Sequence, residues 1–431
     1  MSESLTSPSS ESNVISLLSA NFLRLLGNSQ GRGIVTVNVL RRGVEGKEDL
    51  DEVRSFGTMS KDLCSLAAWL GEVGCTHMAM ESTGVYWKPI YNIMSGEGFE
   101  VLLVNAQHIK SVPGRKTDVQ DCQWIAQLLQ HGLLQGSFIA PEPIRELRDL
   151  TRQRKKLVSQ RASCVQRIQK VLEDANIKLS SVASDVVGVS GWVMLEKLVS
   201  GQTDAQKLAA LARGRLRSKK EQLADALEGR LTEHHRFLLR HHMREIRFFD
   251  EMISDYDERI EQQVQPFFDY IPLLDSIPGV NGTAAAGILG EIGADMNQFP
   301  DYAHLNSWAG MCPGNNESAG KHKSGTTRHG NAWLRTLLVE VAWAASRKKG
   351  SYFRTQYRRL AARRGKKRAL VAVGHSILTI VYHVMKYKIP YKELGEDFFD
   401  KLNTDRLRKH YTKRLESLGY RVELFKGETA A

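Results

Sequence analysis

Between Ile144 and Leu179 the apolar residues Leu147, Leu150, Leu157, Ile168 and Leu172 recur at helical separations among many charges. The same period returns from Leu239 through Met243, Ile246, Phe249, Ile253, Tyr256 and Ile260 to Val264. Pro266 stops the second run, because proline lacks a backbone donor and crowds the preceding turn. Two stripes of this length predict an antiparallel helical or coiled-coil arm, its apolar face buried within one chain or against another subunit. The tract GRLRSKKEQLADALEGR between them adds a further helix. The arm sets the organisation: a polar, flexible segment over 1–30, an α/β domain over 31–143, the helical region over 144–268, a mainly helical domain over 269–400 and a charged tail over 401–431.

Ahead of the arm, strand and helix signals alternate. GIVTVNVL, EVRSFG, HMAM and VLLVN read as strands and Leu63 to Leu70 as a helix, while VISLLSANFLRLL reads as a short helix after the polar start SESLTSPSSESN. HMAM ends at Glu81, and KTDVQDCQWIA carries Asp118 and Asp121 three residues apart, on one helix face. Acids at a strand end and a helix start converge readily, and carboxylate oxygens suit a hard cation such as Mg²⁺, which phosphodiester chemistry commonly uses. The pair by itself equally describes a solvated helix face or an N-terminal cap. A fourth acid is expected in the first strand, yet GIVTVNVL supplies none, and the only acids among the first forty residues are Glu3 and Glu11. His108, Lys110, Arg115 and Lys116 precede the aspartates, either attracting phosphate or forming an ordinary exposed basic loop. Trp87 and Trp124 can stack on bases or serve the core.

Sixty Lys and Arg against 48 Asp and Glu leave +12 on 431 residues, a balance that suits phosphate polymers but also solubility alone. The distribution is sharper. Arg347 to Arg368 holds eleven basic residues and no acid, among them Arg358, Arg359, Arg363, Arg364, Lys366, Lys367 and Arg368, and reads as a surface for a nucleic-acid backbone. Five scattered cysteines without CxxC or compact His pairing favour free thiols over a disulfide framework or a zinc site. With no convincing cleavable signal and no uninterrupted apolar segment of spanning length, a cytoplasmic protein without a membrane partner is expected.

The phrase IPGVNGTAAAGILGEIG has the form of a helix-hairpin-helix turn, in which Gly279 and Gly282 let backbone N–H groups approach a DNA phosphate or simply join two packed helices. After it comes the glycine-rich CPGNNESAGKHKSGTTRHGN, which places Ser318 near Lys321, Lys323 and Arg328. Serine needs an activating partner, and this stretch shows no Ser-His-acid relay, so its chemistry alone favours a loop or capping role for Ser318.

Taken together, MESTGVYWKP, VNAQHIKSVPGRKTDVQDCQWIAQLLQHGLL and SWAGMCPGNNESAGKHKSGTTRHGNAWLR resemble the transposases of the IS110 family, IS1111 branch, over about Val53 to Gly427. The resemblance implies an α/β RuvC-like (RNase H-like) N-terminal domain of DEDD type, a coiled-coil middle, and a mainly α C-terminal transposase domain with the helix-hairpin-helix-like segment. It implies that Glu81, Asp118 and Asp121 hold Mg²⁺ and that Ser318 attacks phosphate to form a transient protein–DNA ester. It further implies insertion-element end and target DNA as substrates, an element-encoded guide RNA, and a homo-oligomer of dimers assembling into a tetramer. The resemblance also marks a departure, since members carry an aspartate just ahead of the strand matching GIVTVNVL, where this chain has LLGNSQGRG. Two alternatives stay beside it: a catalytically weakened homologue that still binds DNA and RNA, and a metal-dependent structure-specific nuclease.

Overall fold

The computed structural model describes residues 14–19, 33–41, 50–82, 86–104, 118–134, 136–314, 316–402 and 404–425, and the backbone alone for 14–19, 41, 118, 119, 121, 316–318 and 321–324. Lys110, Arg115 and Lys116 lie outside the described residues. The chain divides into two units, Met1–Ile139 and Ala140–Ala431.

The first unit is built on five strands: β1 (Val14–Ser19), β2 (Ile34–Arg41), β3 (Leu50–Gly57), β4 (Cys75–Glu81) and β5 (Glu100–Val104). Their order across the sheet is β3-β2-β1-β4-β5, with β1 antiparallel to β2 and parallel to β4, and β4 parallel to β5. Helices α1 (Ser60–Glu72) and α2 (Trp87–Gly96) bury one face of the sheet against Val35, Val37, Val39, Met78 and Met80. Helix α3 (Asp118–Gln130) covers the other with Cys122, Ile125 and Ala126, which meet Ala79 and Val104. Alternation with period two therefore assigns each strand residue to a face.

Two expectations are corrected here. VISLLS, expected to open a helix, is the central strand β1, since its short apolar-rich run suits a strand flanked on both edges as well as it suits a helix, and pairing with β2 and β4 decides. GIVTVNVL is accordingly the second strand, so the place to look for the first acid moves to β1, which carries none.

The second unit begins with α4 (Glu142–Asp174), 33 residues and about 50 Å long, which packs along α9 (Glu233–Val264). Partners along the pair run in opposite directions: Glu146 with Gln263, Arg154 with Asp257, Arg161 with Asp250, Arg167 with Glu245 and Asp174 with His235. The helices are thus antiparallel. Leu239, Met243, Ile246, Ile260 and Val264 are buried in the chain itself, which answers where most of this apolar stripe goes. At the far end of the pair α5 (Leu179–Val182), α6 (Val189–Val199), α7 (Ala205–Ala210) and α8 (Lys220–Leu227) form a helical tip, sharing one core with Ile168, Leu172 and Leu239.

At the other end lie α10 (Tyr270–Asp275), α11 (Gly282–Ile292) and α12 (Tyr302–Trp308), then a two-stranded antiparallel ribbon of β6 (Asn316–Ser318) and β7 (Lys321–Ser324). Helices α13 (Ala332–Ala345), α14 (Tyr352–Arg364), α15 (Lys366–Tyr387), α16 (Phe398–Leu402) and α17 (Thr404–Ser417) complete the unit. By length and composition α15 could cross a membrane, where no uninterrupted apolar segment of spanning length was expected; half of its most apolar stretch is buried, with Val373, Ile377, Leu378 and Val381 in the core.

Candidate catalytic centre and nucleic-acid surfaces

On β4, Met78 and Met80 face α1 and α2, whereas Ala79 faces α3. Glu81 shares the parity of Ala79 and stands on the α3 face at the end of the strand, half-buried. It pairs in register with Val104, and the next backbone amide, Ser82, donates to the Val104 carbonyl at 2.9 Å. Leu18 of β1 pairs with Met80, and Ser19 pairs with Thr36 of β2, so Thr36, Ser19, Glu81 and Val104 form one row across the sheet. The Cys122 thiol donates to the Thr36 carbonyl at 3.2 Å, which seats the first turn of α3 over this row. Asp118 and Asp121 belong to that turn. The backbone therefore brings all three expected acid positions to one end of one sheet face.

One buried polar group on this sheet face was missed, a row back from Glu81 and two strands across. Asn38, on the same face of β2, is fully buried, donates through Nδ2 to Asp51 Oδ1 at 2.7 Å, and leaves its Oδ1 without a hydrogen-bond partner among the described residues. A buried carbonyl oxygen in this state is costly unless a cation or water meets it. Its signal was in the sequence: valine alternates with Thr36 and Asn38 along IVTVNVL. Among the described side chains no group of three His, Cys, Asp or Glu is placed to hold a metal ion. The donors that converge by backbone position are oxygens throughout, which fits Mg²⁺ chemistry, although β1 withholds a carboxylate.

In the second unit Gly279 has φ +89, and a Cβ there would lie 2.5 Å from the Val341 carbonyl oxygen, so glycine is required for the turn and for the approach of α13. Asn281 caps α11 by accepting from the Ala284 amide at 2.9 Å, Gly282 opens the helix into free space, and the remainder from Ala284 to Ile292 is buried. Ser318 pairs with Lys321 across a turn in which Ala319 and Gly320 have φ of 51 and 72, the conformation of a two-residue hairpin. Lys323 lies further along β7, and Arg328 is exposed beyond it.

Arg358, Arg363, Arg364, Lys366, Lys367 and Arg368 are exposed and have no ion-pair partner among the described residues, while Arg359 is held by Asp400 at 3.2 Å and lies over Phe399. Lys366, Lys367 and Arg368 occupy the first turn of α15, which has no acid. Cations at a helix N-terminus oppose its dipole, a conflict that a bound phosphate relieves.

Glu291 was also missed. It is 3 % exposed and accepts both Arg152 Nε at 2.7 Å and Nη2 at 2.8 Å, and Asn331 Nδ2 at 2.5 Å. Arg148 donates to the Gly290 and Glu291 carbonyls, and burial lowers its pKa while Glu291 opposes that shift. Asn331 in turn caps α13 through the amides of Trp333 and Leu334. Beside this hub runs an apolar groove of about 600 Å³ lined by Ile260, Val264, Phe268 and Trp333. The cations on its rim are already matched, Arg152 by Glu291, Arg154 by Asp257 and Lys155 by Glu340, so the groove offers no spare charge for phosphate.

Comparison with family models gives a DEDD transposase of the IS110 kind over residues 44–177 and a transposase of the IS116/IS110/IS902 family over 271–358, together just over half of the chain. The chain belongs to the IS110/IS116/IS902 transposase family. The two matches fall on the mixed α/β unit running into α4 and on the mainly helical region from α10 into α14. No curated protein matches the chain. Membership carries a DNA-acting transposase function at the family level. It also corrects one expectation. The N-terminal match is to a DEDD transposase, whose cleavage works through carboxylates and divalent metal, so the serine-linked intermediate at Ser318 is withdrawn.

Proposed function

We propose that this family member is an insertion-sequence transposase whose DNA cleavage centre is the end of the first sheet marked by Glu81, Asp118 and Asp121. The observation that carries the reading is the seating of α3's first turn over the Glu81 row through the Cys122–Thr36 hydrogen bond. The order β3-β2-β1-β4-β5, with an antiparallel half and a parallel half, supports the RuvC-like (RNase H-like) assignment. Glu81, Asp118 and Asp121 would hold Mg²⁺. When bound, the metal supplies charge stabilisation at phosphate and lowers the pKa of attacking water. The chain's own part is to fix the carboxylates on a rigid strand end and helix start, so that little is reorganised when phosphate arrives. The basic surfaces of α14 and α15, with Lys321 and Lys323 in the ribbon, Arg328 beyond it and Gly282 at the start of α11, hold insertion-element end and target DNA. Magnesium as the metal, the IS1111 branch, a coiled-coil arm, an element-encoded guide RNA and a homo-oligomer rest on the resemblance and form part of the same proposal.

Cleavage of labelled element-end DNA with Mg²⁺ tests it. Glu81→Gln and Asp121→Asn are expected to lower the rate by about 100-fold or more while leaving DNA affinity intact. Full activity in Glu81→Gln, or a covalent protein–DNA adduct lost in Ser318→Ala, would overturn the carboxylate reading. A second reading, a catalytically weakened homologue, is favoured by the acid-free β1; DNA binding without Mg²⁺-dependent cleavage in the unchanged chain would select it.

A further inference from the structure

The helical tip carries a dense run of cations. Along α4 and α9, Arg154, Arg161 and Arg167 are matched across the pair by Asp257, Asp250 and Glu245. Between α7 and α8 the segment ARGRLRSKK places Arg213, Arg215, Arg217, Lys219 and Lys220 within eight residues without an acid. All five are exposed, and none has an ion-pair partner among the described residues. Like charges this close repel, and charge serving only solubility gains nothing from such crowding.

The backbone that presents them is fixed. The Arg213 amide donates to the buried Ser190 hydroxyl at 2.9 Å, Ala212 is buried, and Leu216 packs on the tip core within the 3₁₀ turn Gly214–Lys219. A rise of about 2 Å per residue in such a turn spreads the five side chains over about 14 Å, a length that several successive phosphates of one strand fill. Arg213 to Lys220 includes no aromatic side chain to stack on an unpaired base and no Asn or Gln to read a base edge. Without a stacking platform such a surface suits a duplex backbone better than an unpaired strand, its affinity coming from phosphate contacts.

We propose that this turn at the tip of the arm is a second DNA-binding surface, engaging the phosphate backbone of double-stranded DNA at the far end of α4, which lies about 39 Å along that helix from where Arg148 meets α11. The inference rests on the DNA-acting reading above and adds a site to it. It is tested on the full chain by fluorescence anisotropy with a DNA duplex of arbitrary sequence, and with an RNA duplex of the same sequence, across a salt series. Arg215→Gln/Arg217→Gln/Lys219→Gln is expected to weaken DNA binding about tenfold or more at low salt and to shrink the slope of log affinity against log salt by about 2 to 3, near 0.9 per phosphate contact. Arg363→Gln/Arg364→Gln/Lys367→Gln runs beside it. Loss in that variant alone, with the tip variant keeping the parent slope, overturns the tip site and leaves the DNA reading standing. Loss confined to the RNA duplex overturns DNA as the partner, and failure of the unchanged chain to bind DNA overturns the underlying reading itself. Circular dichroism confirms that the triple variant is folded; if it is not, Arg217→Gln alone must reduce the slope by about 1.

Discussion

Glu291 shows how much one buried carboxylate can hold together. It joins α4, α11 and the cap of α13, so Glu291→Gln leaves Arg152 without its charge partner and is expected to destabilise the second unit by about 3 kcal/mol in urea unfolding. Gly279→Ala should cost about 2 kcal/mol or more by the same measurement, since it meets both a positive φ and the α13 backbone. Burial lowers the pKa of His375 below its ordinary 6.5, so between the two values the unfolded chain holds the proton more tightly. Its contribution is complete above about pH 6.5 and is lost as the pH falls through that window; His375→Gln should flatten this part of the stability–pH curve. Residues of this kind were legible unevenly. The places of Glu81 at a strand end and of Asp118 and Asp121 at a helix start could be read because these are local patterns. Glu291 could not, because Arg152 lies 139 residues away and Asn331 40, and nothing in IPGVNGTAAAGILGEIG marks one acid as buried.

At the scale of elements, the two long helices were readable because their apolar period persists over more than thirty residues, long enough to outvote local propensity. VISLLS is six residues, apolar at spacings that suit either a helix or a central strand, and only partners elsewhere in the chain decide. The arm also separates packing from composition. Ile246 is fully buried and Phe248 is 56 % exposed on the same helix, so Ile246→Ala should lower stability by about 3 kcal/mol and Phe248→Ala by no more than about 0.5 kcal/mol in thermal unfolding. Comparable losses would mean that Phe248 is covered by a partner in solution.

For the whole molecule, the two units have separate apolar cores, one around the five-stranded sheet and others along the arm and behind α15. A fragment beginning at Ala140 is therefore expected to fold by itself, with helical circular dichroism and a cooperative melt. The first unit is more exposed to loss from one end. Among the described residues its earliest strand, β1, sits at the middle of the sheet and joins the β2–β3 ladder to the β4–β5 ladder. A product started internally at Met59, just after β3, would lack the three strands that carry the antiparallel half while keeping every cation of the second unit. Such a shortened product would keep the cations proposed to hold DNA and lose the sheet proposed to cut it, so the start of translation alone would separate the two proposed roles.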